Sequence, residues 1–292
     1  MHLPASPRKT LNSSIMQRKN ASLPTLNSKP ADPLDSRIVA MALGDMATRF
    51  TLEVIAHCAS TSSVLLDRVM PDQASGSVVV CERQTAGRGR RGRSWLSAPG
   101  DSLTFSLLWR FPPGMLPPAG LSLAVGVAAA RALEGMGAAG VCLKWPNDIL
   151  AAGAKLGGIL VETVAHGGQH VAVIGIGINV RLPREIAEAV DAEAGALVSV
   201  MPYAPSRNLL LANLLKALGE MLDEFGRSGF AGFVEEWLAR NAHAGARVSI
   251  LAEGADPIEG RCAGVDIDGA LLLDTATGVR RIVSGEVSLR PR

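Results

Sequence analysis

The 292-residue chain has no apolar run long enough to span a bilayer. A membrane-spanning helix needs roughly 20 consecutive apolar residues, and the most apolar stretches here are broken earlier by Gly, Lys or Asn. We therefore expect no membrane association. The 48% apolar content is nevertheless enough for one well-packed core and a small second domain.

Cysteines and histidines are scattered, without the spacing of metal ligands or of a disulfide framework. No CxxC pair, no Cys/His pairing with metal-ligand spacing and no Ser/His/Asp signature of a nucleophile is present. We therefore expect reduced thiols, a cytoplasmic location and chemistry without a covalent enzyme intermediate. The cysteines are Cys58, Cys81, Cys142 and Cys262.

The net charge of +2 is too small to predict bulk nucleic-acid binding. No acidic residue precedes Asp32, and Pro, Ser, Asn and Lys dominate that region. This composition predicts a disordered tail over residues 1–40, or an upstream start codon with Met41 or Met46 as the real beginning. The segment before Thr51 lacks two apolar runs of helical period, so we predict no helix-turn-helix DNA-binding domain.

A short loop, GRGRRGRSW at residues 87–95, places four arginines among three glycines. Glycine lets the backbone approach a ligand, and the arginine side chains are planar charged forks that match carboxylate and phosphate oxygens. The loop is predicted to close on an anionic ligand. A solvated basic loop and a nucleic-acid patch are the alternatives.

Short β-forming runs and apolar helical segments predict a mixed α/β domain. Strands are predicted at residues 77–82, 103–110, 141–144, 158–164 and 170–176. Helices are predicted at residues 119–136, at 206–225 with Ser206 as N-cap, and from 230 onwards. Beyond residue 243, four alternating segments predict a β-barrel of roughly 50 residues, too small to be an enzyme by itself.

Five motifs, taken in order, resemble those of the biotin protein ligases over about residues 51–290. They are CASTSSVLLDR at 58–68, GRGRRGRSW at 87–95, KWPNDIL at 144–150, KLGGILVE at 155–162 and GIGINV at 175–180. The resemblance implies an α+β fold. A mixed sheet with flanking helices, of the class II synthetase-like biotin/lipoate ligase type, is expected in residues 41–242. An SH3-like β-barrel is expected in residues 243–292, where it assists nucleotide and acceptor binding or merely caps the catalytic domain.

The resemblance also implies an activity, that of a short ligase without a DNA-binding domain. Such an enzyme activates biotin with ATP and Mg²⁺ as biotinoyl-5'-AMP. It then transfers biotin to a lysine of the biotin carboxyl carrier protein of acetyl-CoA carboxylase. Lipoate–protein ligase, a biotin-sensing or nucleic-acid-binding regulator, and a biotin-binding module without catalysis are the alternatives. Monomer and homodimer both stay open.

Activation brings a carboxylate and an α-phosphate together, and cations around them stabilise the crowded transition state. The catalytic candidates are Lys155, Arg90 and Asp148. Lys155 precedes two glycines that permit close approach, although an exposed loop lysine is the alternative. Asn147 and Asp148 follow Pro146 at a strand end, where Asp148 is the candidate ligand for Mg²⁺ bound through ATP phosphates. An Asx turn is the alternative there.

The family's binding residues carry over onto matching positions of this chain. A biotin pocket needs hydrogen-bonding groups at one end and apolar walls along the rest. The implied biotin-binding residues are Ser60, Thr61, Ser62, Gln84, Gly87, Arg88, Gly89, Arg90, Lys155, Gly158, Ile159, Gly175 and Gly177. The implied nucleotide-binding residues are Arg88, Arg90, Arg91, Arg93, Trp95, Lys144, Asn147 and Asn179.

Two positions depart from the family's pattern. Relatives often have Asn where this chain has Ser62, and many carry a tryptophan near Gly195 that stacks on adenine. Here Leu197 or Val198 is expected to supply a weaker apolar surface for the base.

Overall fold

The fold is known from a computed structural model that describes residues 32–69, 74–115, 118–190, 194–251 and 256–289. The strands are β1 (Thr51–Cys58), β2 (Ser77–Gln84), β3 (Gly87–Arg88), β4 (Ser94–Trp95), β5 (Ser102–Arg110), β6 (Val141–Lys144), β7 (Asp148–Ala151), β8 (Ala154–His166), β9 (Gln169–Asn179), β10 (Arg247–Leu251), β11 (Ile258–Val265), β12 (Leu271–Thr275), β13 (Gly278–Ile282) and β14 (Glu286–Leu289). The α-helices are α1 (Ser36–Leu43), α2 (Thr61–Asp67), α3 (Leu121–Gly135), α4 (Arg184–Ala189), α5 (Arg207–Ser228) and α6 (Val234–Ala239). Short 3₁₀ helices cover Gly44–Arg49, Arg90–Gly92, Leu197–Ser199 and Gly229–Phe233.

Seven strands form the main sheet in the order β1-β2-β5-β9-β8-β7-β6. β1 and β2 run parallel, and the other neighbours are antiparallel. The main core includes apolar residues of α3 and α5, while Leu65 of α2 packs with sheet residues in a separate cluster. The expected mixed sheet with flanking helices is therefore confirmed. No helix among the described residues is long and apolar enough to cross a bilayer.

The second sheet lies at the C-terminal end of the chain, in the order β13-β12-β11-β10-β14, with every neighbouring pair antiparallel. This small antiparallel sheet agrees with the expected SH3-like domain. The last of the four predicted segments divides into two strands because the chain turns between Ile282 and Glu286, where Gly285 has φ 156°.

Most predicted elements are present, with ends that differ by a few residues. β8 and β9 are longer than predicted because the two strands pair along almost their whole length. β1 and β7 were not predicted. β1 carries Glu53 and His57 among its apolar residues, which weakens its alternation, and β7 is only four residues long.

The N-terminal boundary differs from the sequence prediction. Residues 32–40 belong to the domain of the main sheet rather than to the tail, since Leu34 and Val39 are buried in the main core. Asp35 caps α1 by accepting a hydrogen bond from the Arg37 amide. Residues 1–31 lie outside the described residues, so the predicted absence of a helix-turn-helix domain stays a prediction.

The domains that contain the two sheets meet at a close junction. The Trp145 indole Nε1 donates a hydrogen bond to the Gly269 carbonyl oxygen at a distance of 3.0 Å. Gly269 also packs on Gly120, because a Cβ on Gly269 would lie 2.7 Å from the Gly120 Cα. Both glycines have positive φ, so a side chain at either position would be strained as well as obstructed.

Candidate active site

A cavity of about 130 Å³ lies where α2, the Arg-rich loop, the β6–β7 turn and the middle of β8 and β9 converge. Gly285 of the C-terminal domain completes its lining. The structure brings together most of the predicted site residues here: Ser60, Thr61, Ser62, Gln84, Arg88, Gly89, Arg90, Arg91, Arg93, Trp95, Lys144, Asn147, Asp148, Lys155, Gly158, Ile159, Gly175 and Gly177. Their individual roles stay predictions.

One end of the cavity carries a network of neutral hydrogen-bonding groups. Gln84 Oε1 accepts from the Thr61 amide at 2.8 Å and lies 3.2 Å from Thr61 Oγ1. Ser106 Oγ lies 2.7 Å from Thr61 Oγ1 and 3.0 Å from Ser62 Oγ. Ser60 is the N-cap residue of α2, but its side chain makes no capping hydrogen bond, so its hydroxyl is available to the cavity.

Glycines form the floor because side chains there would collide with the walls. A Cβ on Gly177 would lie 2.4 Å from Trp95 Cε2, and one on Gly175 would lie 2.6 Å from Ser62 Oγ. The Trp95 ring also covers Gly158, because a Cβ on Gly158 would lie 3.6 Å from Trp95 Cζ3. The indole predicted to bind nucleotide therefore lies directly over glycines predicted to bind biotin.

The other end of the cavity is charged. Lys155 Nζ lies 2.6 Å from Asp148 Oδ1, and both side chains are partly buried. Asn147 holds the adjoining turn through two hydrogen bonds to Ile159. Its side-chain Nδ2 donates to the Ile159 carbonyl oxygen at 2.7 Å, and its backbone carbonyl oxygen accepts from the Ile159 amide at 2.9 Å. A cation and a carboxylate are thus fixed where β7 and β8 pair.

The Arg-rich loop is held at two points. Arg88 Nη1 and Nη2 bind the two carboxylate oxygens of Glu162 at 3.0 and 2.5 Å. Arg91 has left-handed backbone angles, φ 55° and ψ 40°, and donates to the Leu251 carbonyl oxygen of the C-terminal domain at 3.2 Å. Across the described residues, Arg88 Nε and Trp95 Nε1 are both buried without a hydrogen-bond partner. Buried donors of this kind are costly unless a ligand supplies the acceptor.

Two predicted residues lie outside the cavity. Asn179 is buried, and its Nδ2 donates to the Gly195 carbonyl oxygen at 3.0 Å. Gly87, the first residue of the loop, is buried, and a Cβ there would meet the Trp95 carbonyl oxygen at 2.4 Å. Leu197 and Val198 were the two residues expected to contact adenine. Leu197 is fully buried in the core, whereas Val198 is 38% exposed, so only Val198 of the two has a side-chain surface that a base could contact.

Sequence reasoning missed several residues of the site, and four of them shape its geometry or its hydrogen bonds. Ser106 and Glu162 act behind the cavity wall through Thr61, Ser62 and Arg88, as the distances above show. Trp145 and Gly285 line the cavity at the domain junction. Trp145 and Glu162 stand inside quoted motifs, KWPNDIL and KLGGILVE, which was the available signal. Ser106 and Gly285 carried none.

No thiol of the site is poised as a nucleophile. All four cysteines are free. Burial, and then the neighbouring Cys81, raises the pKa of the Cys58 thiol, just before Ser60, to about 12. At neutral pH this thiol is therefore protonated. The described residues also contain no cluster of three or more metal-ligating side chains.

His243 is a buried side chain close enough to Lys144 to feel its charge, and it makes a pH dependence testable. Burial, followed by the positive charge of Lys144, lowers the pKa of His243 below its usual value of about 6.5. As the pH falls through 6.5, the unfolded chain takes up a proton that the folded chain does not bind. The free energy of unfolding should therefore decrease in that range.

We expect a His243→Asn variant to lose this part of the pH dependence. Urea unfolding of both proteins between pH 7.5 and 5.5 checks this, and the difference between the two proteins removes the contribution of all other groups. Parallel pH profiles would contradict the prediction.

Comparison with known proteins agrees with this geometry. Residues 54–179 match the model of the biotin/lipoate A/B protein ligase family, and residues 243–290 match that of the biotin protein ligase C terminal domain. The bifunctional ligase/repressor BirA of Escherichia coli is 37% identical over 232 residues, which are 79% of this chain and 71% of that protein. The biotin–acetyl-CoA-carboxylase ligase of Mycobacterium tuberculosis is 33% identical over 261 residues, covering 87% of this chain and 95% of the relative.

A solved structure extends the agreement to three dimensions. The biotin protein ligase from Aquifex aeolicus, in complex with biotin and ATP, aligns with a TM-score of 0.71 and 33% identity, over 83% of this chain and 99% of that one. The fold, both domain models and relatives that align over most of their length thus agree. The chain belongs to the biotin protein ligase family.

Proposed function

We propose that this chain activates biotin with ATP and transfers the biotinoyl group to a lysine of a biotin carboxyl carrier protein. The observation that carries the proposal is the polarity of the cavity. Neutral hydrogen-bonding groups at Thr61, Ser62 and Gln84 suit a urea-like ring, and the cations at the other end suit a carboxylate beside a phosphate. The glycine floor between them leaves room for an apolar chain.

In the first step, the biotin carboxylate oxygen attacks the α-phosphorus of ATP, and diphosphate leaves. Lys155 and Arg90 are proposed to lie beside the developing negative charge, because both line the charged part of the cavity. Asp148 fixes the Lys155 ammonium, as the 2.6 Å contact indicates. The two unpartnered donors, Arg88 Nε and Trp95 Nε1, are available to ligand oxygens.

The proposed Mg²⁺ ion arrives bound to the phosphates of ATP. Asp148 is the single carboxylate among the residues that line the cavity. Mg²⁺ is usually held by one or two carboxylates together with substrate phosphates and water, so one aspartate fits an ion that arrives with ATP. Such an ion would neutralise phosphate charge.

In the second step, the acceptor lysine amine attacks the acyl carbon of biotinoyl-5'-AMP, AMP leaves, and the amine loses a proton. A groove of about 970 Å³ adjoins the cavity between the Arg-rich loop, the start of α3 and the C-terminal domain. We propose that the carrier protein reaches the adenylate through this groove. The four free thiols support the proposed cytoplasmic location.

The test is intact-mass analysis of a biotin carrier domain after incubation with this protein and Mg-ATP, with either biotin or lipoate. We expect a mass gain of one biotinoyl group that depends on ATP and is absent with lipoate. Transfer of lipoate would instead support lipoate–protein ligase. Biotin binding without transfer would point to a biotin-binding module or sensor.

A further inference from the structure

Glu162 binds the Arg-rich loop but has no role in the reaction scheme above. It lies on β8, does not line the cavity, and accepts hydrogen bonds from both Nη atoms of Arg88. Its backbone pairs with Val173 of β9, so the main sheet fixes its position. Arg88 belongs to the loop, where it pairs with Ser94. The ion pair is therefore a direct attachment of the loop to the sheet.

The ion pair stands between the cavity and the adjoining groove. Arg88 lines both of these spaces, whereas Glu162 lines the groove but not the cavity. The wall between the proposed site of adenylate formation and the proposed path of the acceptor thus includes an arginine side chain that Glu162 holds in place.

The ion pair also determines what Arg88 can offer a ligand. A guanidinium presents its N–H donors in a rigid plane. Because Glu162 accepts one hydrogen bond from each Nη, this plane is fixed, and Nε is left buried with no partner among the described residues. A ligand oxygen would satisfy that donor. A bound intermediate and Glu162 would then hold the same side chain from two sides.

Two effects of the Glu162 carboxylate oppose each other. Its negative charge offsets that of Arg88, and this effect alone would weaken the binding of an anionic ligand. Its hydrogen bonds hold the loop in place, and this effect would slow the escape of a ligand beneath the loop. The Arg88 and Glu162 side chains are 37% and 29% exposed, so water screens their charges while the bidentate geometry persists. We therefore expect anchoring to be the larger effect.

We propose that Glu162 is a positioning residue that anchors the Arg-rich loop through Arg88 and so sets the lifetime of the bound acyl-adenylate. The inference rests on the proposed function, in which the adenylate forms in the cavity beneath this loop. Without the anchor the loop opens more often, and the intermediate leaves before an acceptor lysine reaches it.

The test measures how fast labelled biotinoyl-5'-AMP, formed on the enzyme, is released during a chase with excess unlabelled biotinoyl-5'-AMP. For Glu162→Gln we expect release roughly tenfold faster than in wild type, the usual loss for one charge-assisted hydrogen bond. The new amide nitrogen is a donor and cannot accept from Arg88, so the bidentate pair is lost.

Glu134→Gln is the matched control. Glu134 binds Arg240 through two similar hydrogen bonds, at 3.2 and 2.8 Å, and neither residue lines the cavity or the groove. This variant should release the intermediate at the wild-type rate.

A double-mutant cycle shows whether Glu162 acts through Arg88. Arg88→Met removes the guanidinium, so adding Glu162→Gln to it should not accelerate release further. Unchanged or slower release in Glu162→Gln, equal acceleration in Glu134→Gln, or the full tenfold acceleration in the Arg88→Met background would overturn the proposal. A wild-type protein that forms no adenylate would instead defeat the proposed function.

Discussion

Lys155→Gln is expected to lower the rate of biotinoyl-5'-AMP formation by roughly 10²- to 10³-fold, the usual loss when one preorganised charge-stabilising group is removed. Two reasons combine at this position. The variant loses the ammonium proposed to face the carboxylate and the α-phosphate. It also leaves Asp148, now 2.6 Å from a neutral group instead of a cation, as an uncompensated negative charge beside two anions. Diphosphate release in a single turnover, with biotin and ATP in excess, measures the effect.

The chain offers a matched control for this experiment. The described residues contain three lysines, and Lys216 on α5 is the one that does not line the cavity. Lys216→Gln should keep the wild-type rate, and both variants should unfold at the wild-type temperature. A Lys155→Gln rate within about threefold of wild type, well short of a loss of that size, would remove Lys155 from the mechanism.

Glu82→Gln is expected to destabilise the fold by about 3–5 kcal/mol, the usual cost of breaking a buried ion pair from one side. Arg207 is 1% exposed, and its Nη1 and Nη2 lie 2.6 and 3.1 Å from the Glu82 carboxylate oxygens. The same carboxylate accepts the Leu34 amide at 2.8 Å. Neutralising it leaves a buried guanidinium charge without its counter-ion and weakens the attachment of the N-terminal segment.

Urea unfolding monitored by circular dichroism measures this loss. The matched control is Glu188→Gln, because Glu188 pairs with Arg184 four residues away and both side chains are largely exposed. That pair should contribute less than about 0.5 kcal/mol. Equal midpoints for the two variants would show that the Arg207 pair does not hold the segment in place.

The sequence predicted which residues lie together at the cavity where residues near one another in the chain also lie near one another in space. The Arg-rich loop, KWPNDIL and KLGGILVE each bring several neighbours to the cavity as a unit. Asn179 does not line the cavity, although it lies on the same strand face as Gly175 and Gly177. Each further pair of residues moves about 6.6 Å along a strand, so Asn179 lies beyond the cavity, under Gly195.

Contacts between residues far apart in the chain could not be predicted from sequence patterns. Ser106 stands in LTFSLLWR, which is typical of a core strand, and nothing local shows that its hydroxyl meets residues 44 and 45 positions earlier. Glu162 meets Arg88 across 74 positions. The fold has the same limit. β8 and β9 follow from β-forming runs, whereas residues 32–40 join the core through contacts with distant residues, such as the Arg207 amide, which donates to Asp32 at 2.6 Å.

The hydrogen bond from Arg91 to Leu251 couples ligand binding at the loop to docking of the C-terminal domain. Arg91 belongs to the loop that lines the cavity, and Leu251 belongs to the second domain. A ligand that fixes the loop with this hydrogen bond in place also favours docking of that domain, and by reciprocity tighter docking then raises the affinity for that ligand by the same factor. Substitutions on the small domain, far from any bound ligand, can therefore change how tightly the enzyme retains its reactive intermediate.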